Sequence, residues 1–147
     1  MRTAKRAPSV VTDPETSRRM GGIRQKNTKP EQAVRELLHA LGHRYRVQNR
    51  DLPGSPDAAN RFRQWAVFVH GCFWHSHAGC YKATVPKRNR EFWREKFRQN
   101  RARDRRAAKA LKGAGYVVVV VWECELDSPT DLRRRLGALL RSRCPTR

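Results

Sequence analysis

Three side chains of one short segment and a fourth farther along the chain could bind a metal ion. Cys72, His77 and Cys80 follow a Cys-x4-His-x2-Cys spacing, and Cys124 follows a run of valines. Thiolates and imidazoles are the ligands of structural zinc, which four protein ligands enclose tetrahedrally. The spacing therefore favours a zinc site over four unrelated buried thiols. His75 and His77 could exchange roles; as assigned, His75 stays free for acid–base chemistry.

A carboxylate and a histidine stand at the ends of two neighbouring segments. Asp57 follows Pro56, and His70 follows the apolar run from Trp65 to Val69. If these ends meet at one edge of a sheet, the carboxylate can bind a hard cation such as magnesium. Such a cation polarises a phosphodiester and stabilises the leaving oxygen. The alternative is that Asp57 only caps a turn after proline, and the spacing alone favours that alternative.

Asp104 falls on the apolar face of a long basic segment, the face that also carries Trp93 and Phe97. An acid on an inward face needs a partner, because burying an unpaired charge is costly. It could orient a catalytic histidine, as carboxylates do in acid–base pairs. The alternative is a salt bridge to Arg101 or Arg105, which the local sequence slightly favours.

Three aromatic residues lie in or near these basic segments: Phe73, Trp74 and Trp93. Aromatic side chains of a basic protein can wedge between base pairs and kink a duplex. The alternative is that they form a small core beneath the loop, and the pattern alone favours this second interpretation.

The charge of the chain indicates its class of partner. Lys and Arg number 33 against 13 acidic residues, so the formal net charge is +20. A polyanion would relieve this self-repulsion, and nucleic acid is the first candidate because phosphate contacts release counterions. No segment has the apolar length of a membrane span, and the first residues lack the apolar stretch of a signal peptide. We therefore expect a cytoplasmic protein without membrane contact, in which a disulfide framework is not expected.

The hydrophobic pattern predicts helices and strands in the order α-β-β-β-α-β-α. Thr28 and Glu31 have the spacing of a helix start, and a helix between two buried strands predicts a parallel crossover. The predicted fold class is α/β, with a small mixed central sheet flanked by helices. Residues 58–63 give no clear pattern. We expect a basic N-terminal arm over 1–28, one domain over 29–141 and a tail over 142–147. The elements are helices from Thr28 to Leu41, 88–112 and 129–141, and strands over 43–47, 65–69 and 116–122.

Five separated motifs carry a resemblance to a known family. They are Leu52-Pro53-Gly54-Ser55-Pro56-Asp57, Phe68-Val69-His70-Gly71-Cys72-Phe73-Trp74-His75, Glu91-Phe92-Trp93, Arg103-Asp104-Arg105 and Val121-Trp122-Glu123-Cys124. In order and approximate spacing they resemble the very short patch repair (Vsr-type) DNA mismatch endonucleases. The match covers roughly residues 16–126, and its string from His70 to His75 is highly specific.

The resemblance implies both a fold and an activity. The family has a restriction-endonuclease-like core, and this chain would add a zinc-bound loop to it. Its members recognise a T:G mismatch left by deamination of 5-methylcytosine and nick the strand 5′ to the mismatched thymine. By this likeness the cofactors are catalytic Mg²⁺ and structural Zn²⁺. The expected partners are double-stranded DNA with a mismatch and general mismatch-repair proteins, and the protein is expected to be a monomer in the cytoplasm, associated with the nucleoid.

The resemblance also assigns roles to individual residues. Asp57 and the backbone carbonyl of Val69 would bind magnesium, and Glu31 would reach the water shell of the metal. His75 would be the general base, oriented by Asp104, and His70 would contact the scissile phosphate. The remaining assignments are the zinc ligands Cys72, His77, Cys80 and Cys124 and the residues inserted beside the mismatch, Phe73, Trp74, Trp93 and Met20.

Two other functions stay open on the sequence. One is a related nuclease that cuts other mismatches or matched DNA. The other is a catalytically inactive, zinc-containing DNA-binding module, which would have no need for Asp57, His70, His75 and Asp104 together.

The net charge predicts a steep dependence of DNA binding on salt. Each neutralised phosphate lowers the slope of log K against log [salt] by about 0.9 on duplex DNA. We expect the affinity for a duplex to fall by about a thousandfold or more between 50 and 200 mM salt if six or more phosphates are contacted. Fluorescence anisotropy over this range measures the slope, and a flat affinity would contradict the charge argument.

Overall fold

A computed structural model describes residues 28–141. The predicted arm up to Asn27, which includes Met20, and the predicted tail from residue 142 lie outside the described residues. The described elements, in chain order, are helix α1 (Lys29–Ala40), strand β1 (Ala58–Asn60), strand β2 (Trp65–His70), helix α2 (Arg90–Gly113), strand β3 (Val117–Trp122), a 3-10 helix (Glu123–Asp127) and helix α3 (Pro129–Leu140).

Helix α1 begins and ends where local signals predict. The Thr28 hydroxyl accepts a hydrogen bond from the Glu31 N–H at 3.4 Å and so caps the first turn. Gly42 follows the helix with a φ of +83°, a left-handed conformation that glycine adopts without steric cost. The predicted cap and stop are confirmed, and the helix presents the buried Val34 and Leu38 to the core.

The sheet has three strands in the order β1-β2-β3. Strand β1 pairs with β2 antiparallel, and β2 pairs with β3 parallel, with Val69 opposite Val121 and His70 opposite Trp122. The parallel pair requires a crossover, which α2 provides. The predicted mixed sheet and crossover are confirmed. As a consequence, the chain leaves β2 and β3 at the same edge of the sheet.

The predicted strand over 43–47 is wrong. Only Arg46 pairs there, as an isolated antiparallel bridge to Ala59. Strand β1 is three residues long, and Gln48 has a left-handed φ of 56°, so the chain turns away after one pair. Strand β1 itself lay in the segment without a clear pattern. Its Ala58 and Ala59 are both buried, so this strand shows no alternation of apolar and polar residues.

The core lies on both faces of the sheet. Helices α1 and α3 cover one face, where Trp65, Val67 and Val121 are fully buried with apolar residues of both helices. Helix α2 covers the other face, where Ala107 and Leu111 pack against Ala66 and Phe68. The predicted arrangement of a sheet flanked by helices is therefore confirmed. Within residues 28–141, no helix is long and apolar enough to cross a membrane.

Replacement of Leu136 should test the core of α3. Its side chain is 0% exposed, whereas Leu139 on the same helix is 43% exposed. We expect Leu136→Ala to lower the free energy of unfolding by about 2–5 kcal/mol, because it removes buried methyl groups and leaves a cavity. Leu139→Ala is the control, with a change of less than about 0.5 kcal/mol. Urea denaturation measures both, and equal losses would contradict this packing.

Candidate active site and zinc cluster

A cavity of about 610 Å³ opens where β2 and β3 end. Its lining includes residues from four parts of the chain: Glu31 of α1, Asp57 before β1, His70 and His75 at and after the end of β2, and Asp104 of α2. The sequence motifs that carry acids and histidines are thus brought to one place. The parallel pairing of β2 and β3 and the crossover by α2 bring them together.

Asp57 is held against β2 by two hydrogen bonds. Its N–H donates to the Val67 carbonyl at 3.0 Å, and its Oδ2 accepts from the Val69 N–H at 2.6 Å. Burial raises the pKa of Asp57 to about 6, the Val69 N–H opposes this rise, and the nearby Glu31 charge adds to it. Partial burial disfavours the ionised form of this carboxylate, and a bound cation would stabilise that form. The site therefore fits a hard divalent ion.

Arg35 also reaches this group, and the sequence analysis missed it. Its guanidinium lies 3.6 Å from Glu31 and donates to the Asp57 carbonyl at 3.5 Å. The spacing of four residues between Glu31 and Arg35 was an available signal, because such pairs lie on one helix face. Arg35 lowers the pKa of Asp57 and so partly offsets the effect of Glu31.

His70, the last residue of β2, and His75 in the loop after it share one carboxylate. His75 Nδ1 lies 2.6 Å from Asp104 Oδ2, and His70 Nε2 lies 3.9 Å from Asp104 Oδ1. The sequence left two kinds of partner open for Asp104, a catalytic histidine or a neighbouring arginine. In the structure, the histidines contact it. With Nδ1 facing the carboxylate, the other ring nitrogen of His75 is the one able to take a proton.

His70 lies flat against His75. The two rings are stacked, with centroids 3.9 Å apart and an interplanar angle of 1°. Burial and, to a smaller extent, the neighbouring His75 charge lower the pKa of His70 to about 4, and Asp104 opposes both effects. His70 is consequently neutral at neutral pH and can serve as a hydrogen-bond donor or acceptor beside His75.

The four predicted zinc ligands converge. One ligand atom from each of Cys72, His77, Cys80 and Cys124 lies within 4.8 Å of the others. Burial raises the pKa of Cys72 to about 12 without a cation, and a metal ion is what stabilises such a buried thiolate. This donor set of three thiols and one imidazole fits zinc. His75 lies with Asp104 instead, so the structure separates the two histidines that spacing left interchangeable.

The aromatic residues form a cluster beside the cavity. The Phe73 ring centroid is 5.1 Å from Trp74 and 5.4 Å from Trp93, and the buried Phe97 lies beneath at 5.3 Å. Phe73, Trp74 and Trp93 are each only half-buried. They therefore pack as a small core, as one of the two alternatives predicted, and also present ring surface to solvent. Insertion of these rings between base pairs stays a prediction.

Three exposed arginines of α2 also line the cavity: Arg101, Arg103 and Arg105. No binding role was predicted for these arginines from the sequence, although the basic composition of this helix indicated anion binding. Exposed guanidiniums beside a cavity are suited to phosphate contacts.

Comparison with known proteins relates the chain to DNA nicking enzymes. The sequence model of the family described as "DNA mismatch endonuclease Vsr" matches residues 9–82. The chain is 48% identical to the type II nicking enzyme V.XorIIP of Xanthomonas oryzae over 121 residues, 82% of this chain and 88% of that protein. It is 41% identical to the type II nicking enzyme V.NmeAIP of Neisseria meningitidis over 90% of this chain and 94% of that protein. Identity to the DNA mismatch endonuclease Vsr of Escherichia coli is 42% over 75% of this chain and 70% of that protein.

Removal of one thiol should release the metal and destabilise the fold. We expect Cys124→Ala to abolish zinc retention and to lower the melting temperature, because binding free energy of a structural metal is folding free energy. Cys144→Ala, which changes the one cysteine not assigned to the cluster, is the control. Elemental analysis and thermal melting measure both effects. Purified protein without zinc, or equal behaviour of the two variants, would defeat the assignment.

Neutralising Asp57 should stabilise the protein in a pH-dependent way. Because its folded pKa is raised from 3.8 to about 6, the stability it contributes is present below pH 3.8 and lost as the pH rises through 6. We expect Asp57→Asn to raise the free energy of unfolding by about 1–3 kcal/mol at pH 7.5 and by much less at pH 4.5. Thermal melts without magnesium test this, and a gain that is larger at pH 4.5 would contradict the raised pKa.

Proposed function

Because the chain belongs to the family of the DNA mismatch endonuclease Vsr and is therefore a DNA-cleaving hydrolase with a restriction-endonuclease-like fold, we propose that it nicks DNA 5′ to the thymine of a T:G mismatch. The observation that carries the proposal is the His75–Asp104 pair, 2.6 Å apart, in the same cavity as the Asp57 carboxylate. A base, its orienting acid and a cation-binding carboxylate are the groups that phosphodiester hydrolysis requires.

Asp57 and the Val69 carbonyl would hold Mg²⁺, with Glu31 near its water shell. When bound, the ion neutralises charge on the phosphodiester and supports the leaving oxygen. The raised pKa of Asp57 supports this role, because cation binding relieves the cost of ionising a buried carboxyl beside Glu31.

His75 acts as the general base in this proposal. Asp104 accepts the Nδ1–H, which leaves the opposite nitrogen of the ring to take a proton from the attacking water. The carboxylate then stabilises the imidazolium that forms. His70, neutral and stacked on His75, donates a hydrogen bond to the scissile phosphate.

The aromatic cluster would supply the mismatch preference. Phe73, Trp74 and Trp93 present ring edges and faces beside the cavity, and we propose that they insert into the stack next to the mismatch. A T:G wobble pair is easier to unstack than a matched pair, so the same insertion costs less at the mismatch. Met20 of the arm is proposed to wedge from the opposite groove.

Zinc would hold the loop that carries the catalytic histidine. Cys72 and His77 flank His75 in sequence, and a metal between them and Cys124 would tie this loop to the end of β3. We propose that Zn²⁺ has this structural role. We also propose that the protein starts very short patch repair of deaminated 5-methylcytosine, acting as a cytoplasmic, nucleoid-associated monomer. Contact with general mismatch-repair proteins stays a prediction.

A nicking assay tests the activity and its specificity. The substrates are labelled duplexes with one T:G mismatch in several sequence contexts, and matched duplexes, in magnesium. We expect one nick 5′ to the mismatched thymine and none in the matched duplex. Equal cutting of matched DNA would favour a general nuclease. Tight binding of the mismatch without a nick would favour an inactive DNA-binding module.

Replacement of the two proposed catalytic residues should separate cleavage from binding. We expect Asp57→Ala to abolish the nick and His75→Ala to slow it by about 100- to 10,000-fold, the usual contribution of a general base. Mismatch affinity should change little. Asp51→Ala is the matched control, because Asp51 is an exposed acid of the same loop that pairs with Arg61. Full activity of Asp57→Ala would remove Asp57 from the site.

A further inference from the structure

A buried amide holds the segment that ends at Asp57. The Asn49 side chain is 0% exposed. Its Nδ2 donates to the Arg46 carbonyl at 2.7 Å and to the Pro56 carbonyl at 3.1 Å. One side chain therefore joins the two ends of the segment from 46 to 56, and one of its two acceptors belongs to the residue directly before Asp57.

The orientation of this amide is fixed by its partners. Both carbonyls are acceptors, so only the NH₂ group can face them, and a flipped amide would place oxygen against oxygen. Among the described residues, Oδ1 of Asn49 is buried and has no hydrogen-bond partner. A buried unsatisfied acceptor is costly. An apolar side chain at this position would remove that acceptor but would also take the Asn49 donor away from the Pro56 carbonyl. The amide therefore fixes the positions of the two carbonyls at the cost of one unsatisfied oxygen.

The contacts on either side of Pro56 show which part of the chain the Asn49 side chain holds. On one side, β2 fixes Asp57 through the Val67 carbonyl and the Val69 N–H. Strand β1 begins only after Asp57, so no ladder hydrogen bond of that strand holds the residues before it. Farther back, Gly54 lies so close to α2 that a Cβ there would be 2.5 Å from the Ala107 Cβ. Between Gly54 and Asp57, the Ser55 N–H donates to the Leu52 carbonyl at 3.0 Å. The Asn49–Pro56 hydrogen bond is the loop contact that reaches the residue directly before Asp57.

We propose that Asn49 is a positioning residue that fixes the backbone at Pro56 and thereby sets the Asp57 carboxylate for binding a divalent cation. The inference rests on the proposed role of Asp57 as a magnesium ligand. Partners that orient a metal ligand without touching the metal commonly change metal affinity by 10- to 100-fold when they are replaced. Asn49 acts on the backbone next to the ligand, so we expect an effect near the lower end of this range, about tenfold.

Binding of Mn²⁺ to the zinc-loaded protein without DNA tests the inference. Mn²⁺ is a spectroscopic substitute for Mg²⁺, because it too prefers oxygen ligands. Electron paramagnetic resonance gives the dissociation constant for the natural sequence, for Asn49→Ala and for Asp57→Ala as the reference without a site. Asn60→Ala is the matched control, because Asn60 Nδ2 also donates to a backbone carbonyl, that of Arg44 at 2.9 Å, but at the far end of β1.

We expect Mn²⁺ to bind Asn49→Ala about tenfold more weakly than the natural sequence and Asn60→Ala with unchanged affinity. Zinc content and the near-ultraviolet circular dichroism of Asn49→Ala should stay unchanged, which a general loss of structure would not allow. In the nicking assay, excess Mg²⁺ should restore the rate of Asn49→Ala and not that of Asp57→Ala. Unchanged Mn²⁺ affinity in Asn49→Ala, or equal weakening in Asn60→Ala, would overturn the inference.

Three further outcomes are distinguishable. If Asn49→Ala does not fold, Asn49→Ser, which keeps one short donor, replaces it with the same expected and contrary results. If Asp57→Ala binds Mn²⁺ as tightly as the natural sequence, the metal assignment of Asp57 fails, and the inference about Asn49 fails with it. If the natural sequence binds Mn²⁺ through Asp57 but nicks no DNA, the proposed function fails while the role of Asn49 stands.

Discussion

The parallel pairing of β2 with β3 is the constraint on which the site depends. It places the end of β2, which leads into His70, Cys72 and His75, beside the end of β3, which leads into Cys124. The same pairing requires a crossover, and the crossover helix α2 carries Asp104 to His75. The cluster of three cysteines and a histidine and the His75–Asp104 pair are thus consequences of one strand alignment. A shift of its register by one residue would turn every side chain of β3 to the opposite face.

The site concentrates charge that the rest of the fold must hold in place. Asp57 and Glu31 lie near each other, and burial raises the pKa of Asp57. Arg35 offsets part of this repulsion, while the Val69 N–H holds one oxygen of Asp57. The arrangement is less stable than a neutral one at neutral pH, and a bound cation would relieve it. Under the proposed function, this loss of stability accompanies a carboxylate that can bind a metal.

Local patterns predicted much of this fold, for identifiable reasons. The Thr28 cap, the valine run of β3 and the apolar stripe of α2 are periodic or capping signals, and the structure confirms the elements they indicate. The strand expected over 43–47 is wrong because, among the described residues, the only pairing partner of this segment is the three-residue β1, with which it forms one bridge. The length of the neighbouring strand depends on the tertiary structure, and the alternation of apolar and polar residues does not predict it.

The chemical groups can be identified in the amino-acid sequence: three cysteines and a histidine at zinc spacing, the acid Asp57 after a proline, and the family motifs around them. Which of these groups meet depends on tertiary contacts. In the fold, His77 joins the three cysteines, His75 lies against Asp104, and Arg35 and Asn49 reach the Asp57 segment. Such contacts arise because a buried polar group needs a partner, and the packed chain often supplies one from far away in sequence. Spacing along the chain indicates the possible partners, and the strand pairing and the crossover determine which of them are in contact.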